Sequence, residues 1–316
     1  MRPLYLGLDT SNYKTSAGLY SPADGSFRAC GRLLEVPLGS LGLRQSDALF
    51  QHVKQLSARV REVCGGLDGE IRAIGFSARP RDLEDSYMPC FLAGQCAAEC
   101  MGAALGVPVY DFSHQQGHLA AAALSVGRLD LLGAPLLAWH LSGGTTELLL
   151  AEPSEERILR ASILGGSSDI SAGQLIDRTG VLLGLHFPAG KALDALYDQA
   201  DACLDYRVKL QELSFSLSGM ENKVKQLAAA GEKPANIARF TLDTVIGVVL
   251  RATREAQSRW PGLPVLCSGG VASNRQLRGA LEQGCQAIFA QPQYATDNAM
   301  GTAILTWRAL EKQRRT

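Results

Sequence analysis

The chain has 316 residues, 46% hydrophobic and 20% charged, with 31 basic and 31 acidic side chains and so no net charge at pH 7. This is the composition of a folded globular protein long enough for two lobes. It excludes a disordered chain and a protein that binds nucleic acid through its whole surface, so any RNA contact must be local or shared with a partner. No apolar run approaches the ~20 residues of a membrane span and the N-terminus enters a strand without a cleavage pattern, so the expected protein is cytoplasmic, makes no membrane contact and keeps its thiols reduced.

Residues 4–9 are a short apolar run ending in Asp9. Residues 10–15 are small and polar, 16–20 are apolar again, and 21–25 turn once more. The pattern predicts strand, turn, strand, turn, strand, with hydroxyls and N–H groups in the first turn suited to a phosphate. A third strand and a helix follow, with Leu49, Val53 and Leu56 as its apolar stripe. His52 lies one position off that stripe and is expected at the surface or half buried. Residues 71–77 read as a buried strand and 79–89 as a charged loop of uncommon length. Residues 90–105 form an Ala-rich helix in which Cys96 and Cys100 are expected as small buried hydrophobes.

A strand at 107–110 leads into Asp111-Phe-Ser-His-Gln-Gln-Gly-His118. Asp111 and Ser113 are good helix caps, and the alanines beyond are strong helix formers. On a helix, His114 and His118 share one face, one turn apart. Two such imidazoles either grip one divalent ion or are ordinary hydrogen-bonded side chains. A metalloprotease of the His-Glu-x-x-His type would place its general base at the position of Gln115, and an amide cannot act as one.

The opening pattern then recurs. Residues 135–141 read as a strand, Ser142-Gly-Gly-Thr-Thr146 as a hydroxyl and glycine turn, 147–151 as a second strand and 157–164 as a third. This is a duplicated domain rather than a short repeat. A helix spans 171–183, a loop 184–190 carries His186, and Asp194 opens the next helix. Long helices fill 219–258, with Pro234 marking a start. Residues 265–275 read as strand, Gly-Gly turn and helix, a form that brings backbone close to a ligand. Thr296 caps the last helix. Asp297 is either a dipole partner in its first turn or the carboxylate of a two-His, one-carboxylate set suited to iron or zinc.

Taken in order, Asp9-Thr-Ser, His114-Gln-Gln-Gly-His118, Leu141-Ser-Gly-Gly-Thr145, Ala172-Gly-Gln-Leu-Ile-Asp177, Leu183-Gly-Leu-His-Phe-Pro-Ala-Gly190, Ser214-Phe-Ser, Ser268-Gly-Gly-Val-Ala-Ser-Asn274-Arg and Thr296-Asp-Asn-Ala are similar to the motifs of one family. Over nearly its whole length the chain resembles the tRNA threonylcarbamoyladenosine transferases (TsaD/Gcp-like, formerly called O-sialoglycoprotein endopeptidases or glycoproteases). Each motif alone is weak, and their order and number are specific. The resemblance implies the α/β actin-like ATPase (ASKHA) fold, duplicated in two lobes with the active site in the cleft between them. The lobes are expected at 1–115 and 116–316, with the final helix packing back on the N-terminal lobe.

The resemblance further implies that His114, His118 and Asp297 hold one divalent metal ion, iron or zinc. It implies that His140, Leu141, Ser142, Gly143, Gly144, Asp177, Gly190, Asp194 and Asn274 bind threonylcarbamoyl-AMP, or ATP or AMP as nucleotide ligand. The implied reaction moves the threonylcarbamoyl group to the exocyclic amine of the adenosine beside the tRNA anticodon. The implied partners are tRNA, a smaller paralogous protein and an adenylate-forming enzyme, and no catalytic side chain is singled out.

Departures mark a divergent paralogue. Thr145 stands where the family usually has His, Glu221 where it has Lys, Asp9 where it has Glu, and residues 79–89 replace a glycine-rich loop. These changes keep open a carbamoyltransferase with a small-molecule acceptor, a non-catalytic partner of the true transferase and, less readily, a kinase of the same fold.

Overall fold

A computed structural model describes residues 1–11, 13–36, 43–83, 86–204, 207–291 and 298–315. The chain divides into two compact units. The first comprises Met1–Gly133, Glu152–Ala161 and Thr296–Thr316, the second Ala134–Ala151 and Ser162–Ala295. The sequence suggested a division between 115 and 116, two positions that lie inside the helix His114–Ser125.

The sheet of the first unit has five strands: β1 (Pro3–Ser11), β2 (Lys14–Tyr20), β3 (Phe27–Leu33), β4 (Glu70–Arg79) and β5 (Val109–Ser113), in the order β3-β2-β1-β4-β5. The first three are antiparallel neighbours, and β4 and β5 add in parallel. Leu4, Leu6, Leu8, Ala17, Leu19 and Ile74 pack one face against α1 (Gln45–Cys64) and α2 (Leu92–Leu105). Each fully buried Leu or Ile contributes roughly 1.5–3 kcal/mol.

The α1 stripe is not the expected one. Ala48, His52, Leu56 and Val63 face inward, while Val53 is 63% exposed. His52 is wholly buried because its Nδ1 meets the Thr15 hydroxyl at 2.7 Å, so a polar pair replaces an apolar contact on that face. The strands also run further than expected, with Ser11 paired to Lys14. Cys96 and Cys100 are exposed on α2, because the buried face of that helix is Ala93, Gly94, Ala98 and Gly102.

The other face of the sheet carries α9 (Asn298–Gln313). Glycine makes that approach possible. A Cβ at Gly7 would lie 2.2 Å from the Ala299 carbonyl oxygen, and one at Gly301 would lie 1.8 Å from the Gly117 carbonyl oxygen on α3 (His114–Ser125). Helix α9 therefore rests directly on the strands and on α3.

In the second unit the strand order is β12-β11-β6-β7-β8-β10-β9. The strands are β6 (Leu136–Leu141), β7 (Thr146–Ser154), β8 (Ile158–Ser167), β9 (Leu210–Gln211), β10 (Ser214–Phe215), β11 (Val265–Ser268) and β12 (Ile288–Phe289). The tip of the β7–β8 hairpin is counted with the first unit. The run β8-β7-β6-β11-β12 repeats β3-β2-β1-β4-β5, so the duplication read from the sequence is a duplication of topology. Leu137, Trp139 and Leu141 of β6 enter the main core with Leu148, Val245, Val249, Leu277 and Leu281. These come from β7 and from α7 (Pro234–Arg259) and α8 (Arg275–Cys285). The Trp139 indole N–H donates to the Thr253 hydroxyl at 2.9 Å, which satisfies the one polar atom of a fully buried ring. Around this core lie α4 (Ala172–Leu182), α5 (Gly190–Tyr197) and α6 (Ser218–Ala229). None of the described helices is long and apolar enough to cross a membrane.

Candidate active site

Helix α3 starts at His114 itself. Ser113 caps it in a capping box: its hydroxyl accepts from the Gln116 N–H at 3.2 Å, and the Gln116 side chain accepts from the Ser113 N–H at 2.6 Å. The Gln116 amide also donates to the Arg157 carbonyl at 3.3 Å and to that of Leu159. The helix is thus tied down where the histidines stand. The His114 and His118 rings are half buried, with centroids 4.5 Å apart in an edge-on arrangement.

Asp9, at the end of β1, orients the first of them. Its Oδ2 lies 2.7 Å from His114 Nδ1 and accepts from the Ser77 hydroxyl at 2.5 Å, while Oδ1 accepts from the Ser11 N–H at 3.1 Å. The carboxylate is 1% exposed. Burial alone would raise its pKa, but the His114 imidazole and the hydrogen bonds from His114, Ser77 and Ser11 override burial and hold it at about 2. An anion bonded to Nδ1 orients the ring, as a carboxylate does for a metal-binding histidine. Asn298 of α9 closes the other side, with its amide nitrogen 2.5 Å and 2.8 Å from the two ring nitrogens. Asp297 lies outside the described residues. Among the described residues no group of three or more His, Cys, Asp and Glu side chains is arranged to hold a metal. The two imidazoles and their buried carboxylate still fit a divalent ion, as a pair of nitrogen donors with one already oriented.

Two hydroxyls of the first hairpin, those of Thr10 and Thr15, face inward rather than toward a ligand. Thr10 Oγ1 accepts from the Gly94 N–H at 3.1 Å, and Thr15 holds His52. Both threonines are fully buried, and they bind β1 and β2 to the two helices behind them. The His52 imidazole stays neutral, since burial pushes its pKa down to about 4 against the opposing pull of Asp9.

In the second unit, Ser142-Gly-Gly-Thr145 forms the β6–β7 turn, closed by Ser142 N–H to Thr145 O at 2.8 Å and Thr145 N–H to the Ser142 hydroxyl at 3.1 Å. Gly143 and Gly144 are exposed at its tip. Helix α4 is seated on it: the Ser171 hydroxyl donates to Gly143 O at 2.6 Å and the Ala172 N–H to the Thr146 hydroxyl at 2.8 Å. His140 pairs with Ser268 across β6 and β11. The following Gly269, at φ 98°, turns the chain over the Leu141 carbonyl, where a Cβ would come within 2.2 Å.

The remaining expected residues form one chain of contacts. Asp177 on α4 accepts from the Ala189 N–H at 2.8 Å, and Gly190 follows as the first residue of α5. Asp194 sits within α5 rather than at its start, because that helix already begins at Gly190. Its Oδ2 lies 3.4 Å from the Arg275 N–H, beside Asn274. Asn274 caps α8, its Oδ1 accepting from the Leu277 N–H at 2.9 Å. Asn274 Nδ2 and Asp194 Oδ1 are buried without a partner among the described residues. A buried donor and a buried acceptor left open, near a Gly-Gly turn, suit the polar edge of a bound ligand.

Sequence reasoning missed two aspartates. One is the structural role of Asp9. The other is Asp169, which accepts from the Ser216 hydroxyl at 2.5 Å and from the N–H groups of Leu217 and Ser218 at 2.8 Å and 3.1 Å. Although burial opposes it, those bonds hold its carboxyl well below the usual range. Asp169 thereby pins the Ser214-Phe-Ser motif, and its place just before the capping serine of α4 was the available signal. Glu221, where the family has a cation, bridges Arg178 and Lys225 at 2.6 Å each.

Comparison with known proteins agrees with these motifs. The TsaD family, tRNA N6-adenosine threonylcarbamoyltransferase, matches residues 87–304. The tRNA N6-adenosine threonylcarbamoyltransferases of Aromatoleum aromaticum and Thermus thermophilus are 29% and 30% identical to the chain. The alignments cover 93% and 96% of it, and 87% and 92% of theirs. A probable bifunctional tRNA threonylcarbamoyladenosine biosynthesis protein of Methanothermobacter thermautotrophicus is 26% identical over 96% of the chain, which spans 55% of that longer protein. Among solved structures, full-length HypF shares the fold with a TM-score of 0.61 at 12% identity, over 96% of this chain and 46% of that one. A ROK family glucokinase from Streptomyces griseus shares it with a TM-score of 0.52 at 14% identity, over 96% and 99%. These neighbours show the actin-like ATPase fold that the resemblance implied. With the family match spanning both the histidine helix and the second-unit motifs, and close to whole-length relatives behind it, the chain belongs to the tRNA N6-adenosine threonylcarbamoyltransferase family and is a transferase.

Proposed function

We propose that this protein transfers the threonylcarbamoyl group of threonylcarbamoyl-AMP to the exocyclic amine of the adenosine beside the tRNA anticodon. His114 and His118, with Asp297, hold one divalent ion, iron or zinc. His140, Leu141, Ser142, Gly143, Gly144, Asp177, Gly190, Asp194 and Asn274 hold the donor. The observation that carries this reading is the Asp9–His114 pair, a fully buried carboxylate at 2.7 Å from one imidazole of an i,i+4 pair. A structural histidine needs no buried anion, whereas a ligating one gains orientation and basicity from it.

The chemistry follows from the groups present. The amine nitrogen attacks the carbamoyl carbon, the bond from that carbon to the AMP phosphate oxygen breaks, AMP leaves with the electron pair and the amine loses a proton. His114 and His118 would hold the divalent ion, which would supply Lewis acidity when bound. Asp9 holds His114 in one tautomer. The exposed glycine turn offers backbone N–H groups to the donor's anionic part. The open Asn274 Nδ2 and Asp194 Oδ1 supply a donor and an acceptor to its nucleoside edge. Fixing the donor this way lowers the entropic barrier to attack. The partners in this reading are tRNA, an adenylate-forming enzyme that makes the donor and a smaller paralogue; the bifunctional name of one relative supports association within threonylcarbamoyladenosine biosynthesis in general.

The test is nucleoside mass spectrometry of tRNA incubated with the purified protein and preformed threonylcarbamoyl-AMP, with and without the smaller partner. Threonylcarbamoyladenosine is the expected product. Donor consumption with unmodified tRNA would move the acceptor to a small molecule, a reading favoured by the Glu221 bridge where the family carries a cation. No consumption in either tube would leave a non-catalytic partner.

A further inference from the structure

A chain without net charge that acts on RNA needs a local concentration of cations. The second unit contains one, away from the donor-binding residues. A cavity of about 620 Å³ is lined by Arg207, Val208, Lys209, Leu210, Arg251, Arg254, Glu255 and Ser258. Two elements build it. Arg207 and Lys209 are exposed on the segment entering β9, with Val208 buried between them. Arg251 and Arg254 are three apart on α7, and Ser258 continues the same face.

The charges are not neutralised from within. Among the described residues none of the four cations has an ion pair, and the one carboxylate, Glu255, is engaged by Arg259 at 2.9 Å. The Arg251 guanidinium braces the wall instead, donating to Val208 O at 2.6 Å and Gly247 O at 3.2 Å. Burial, and then the nearby Arg207, lower its affinity for a proton, so the groove bears cation repulsion that an anion would relieve.

The groove is not the donor site. Leu250 and Arg254 pack against Gly284, at the end of α8 opposite to its capping Asn274. Eleven helical residues separate those ends by about 16 Å. Three cations with exposed heads and a fourth half buried suit a run of phosphates better than one small anion, and exposed Arg and Lys heads are what backbone contacts use.

We propose that this groove binds the phosphate backbone of RNA, independently of base sequence, and so docks the acceptor on the second unit. This inference rests on tRNA being that acceptor. The probes are an unmodified tRNA transcript and an unrelated 20-nucleotide single strand, titrated by fluorescence anisotropy between 50 and 200 mM salt. The expected result for Arg207→Glu/Lys209→Glu is roughly tenfold weaker binding of both RNAs at low salt. The slope of log affinity against log salt should be smaller by about 1.5, with nucleotide binding unchanged. The milder Lys209→Ala should lose about half that slope change, which controls for misfolding of the double variant. If wild type binds RNA and both variants match it in affinity and slope, the groove assignment is wrong while tRNA as acceptor stands. If wild type binds neither RNA, the groove assignment falls whether or not it binds poly-glutamate, and the acceptor is decided separately by the nucleoside assay.

Discussion

Replacing Asp9 by Asn tests whether the histidine helix is built for a metal. The change keeps size and shape and removes the anion. Asp9 titrates at about 2 instead of 3.8 because His114, Ser77 and Ser11 stabilise its charged form more than burial disfavours it. At about 1.4 kcal/mol per tenfold change in proton affinity, this is roughly 2 kcal/mol of folding stability. A depressed carboxyl stabilises the fold above its unfolded pKa. The contribution is therefore full at neutral pH and is lost between about pH 4 and pH 2 as the group protonates. Asp9→Asn should remove it at pH 7, while the difference from wild type shrinks as the pH falls toward 2. The amide also leaves His114 Nδ1 without its anionic partner, and loss of such support weakens metal binding about 10- to 100-fold. The assays are urea denaturation in chelator at pH 7 and pH 3, and calorimetric titration of the metal-free protein with zinc. Wild-type stability together with wild-type zinc affinity in the variant would refute this account of Asp9. Wild type that takes up no zinc or ferrous iron would refute the metal centre itself.

The other substitutions separate roles that coincide at single residues. Asn274→Ser keeps the cap acceptor of α8 but removes the open Nδ2 donor, so thermal stability should stay within about 0.5 kcal/mol while AMP affinity falls about tenfold; unchanged AMP binding by calorimetry would remove Asn274 from the donor site. Gly301→Ala drives a Cβ to 1.8 Å from the Gly117 carbonyl oxygen, a backbone atom that can move only by shifting α3. It should cost about 1–3 kcal/mol, lower the melting temperature by several degrees and reduce zinc affinity with it; a wild-type melting curve would mean that α9 and α3 are not so closely packed.

The local parts of this fold were legible because local chemistry writes them. The hairpins follow from alternating strands and glycine turns. The histidine helix follows from Ser113 as a cap and from the alanines beyond it. The duplication follows from the repeated strand pattern, and its topology repeats with it. What the sequence hid was set by partners distant in the chain. Val53 belongs to a plausible apolar stripe, yet α1 turns His52 inward because Thr15, on β2, offers a hydroxyl there. Thr10 and Thr15 look like ligand groups in a polar turn, but the strands extend through them and their hydroxyls fasten α2 and α1. Cys96 and Cys100 sit among alanines, and only the docking of α2 decides that their face is outward.

The candidate site divides along the same line. Residue types and motif order were enough to single out His114, His118 and the second-unit motif residues as candidates. They could not show that Asp9 serves His114, because 105 positions separate the two and β1, β4 and α3 must all be in place before the carboxylate is buried. The same holds for Glu221. Read as a motif change, it looked like the loss of a cation from the acceptor side. In the structure Arg178, one turn before the end of α4, and Lys225, one turn along α6, both reach it at 2.6 Å, so the carboxylate is paired with two cations. The pairing closes an ion-pair bridge between α4 and α6. Glu221 is thus a paired, structurally accommodated side chain, while the carboxylate-supported His114 and the β6–β7 glycine turn are assembled beside their own helices.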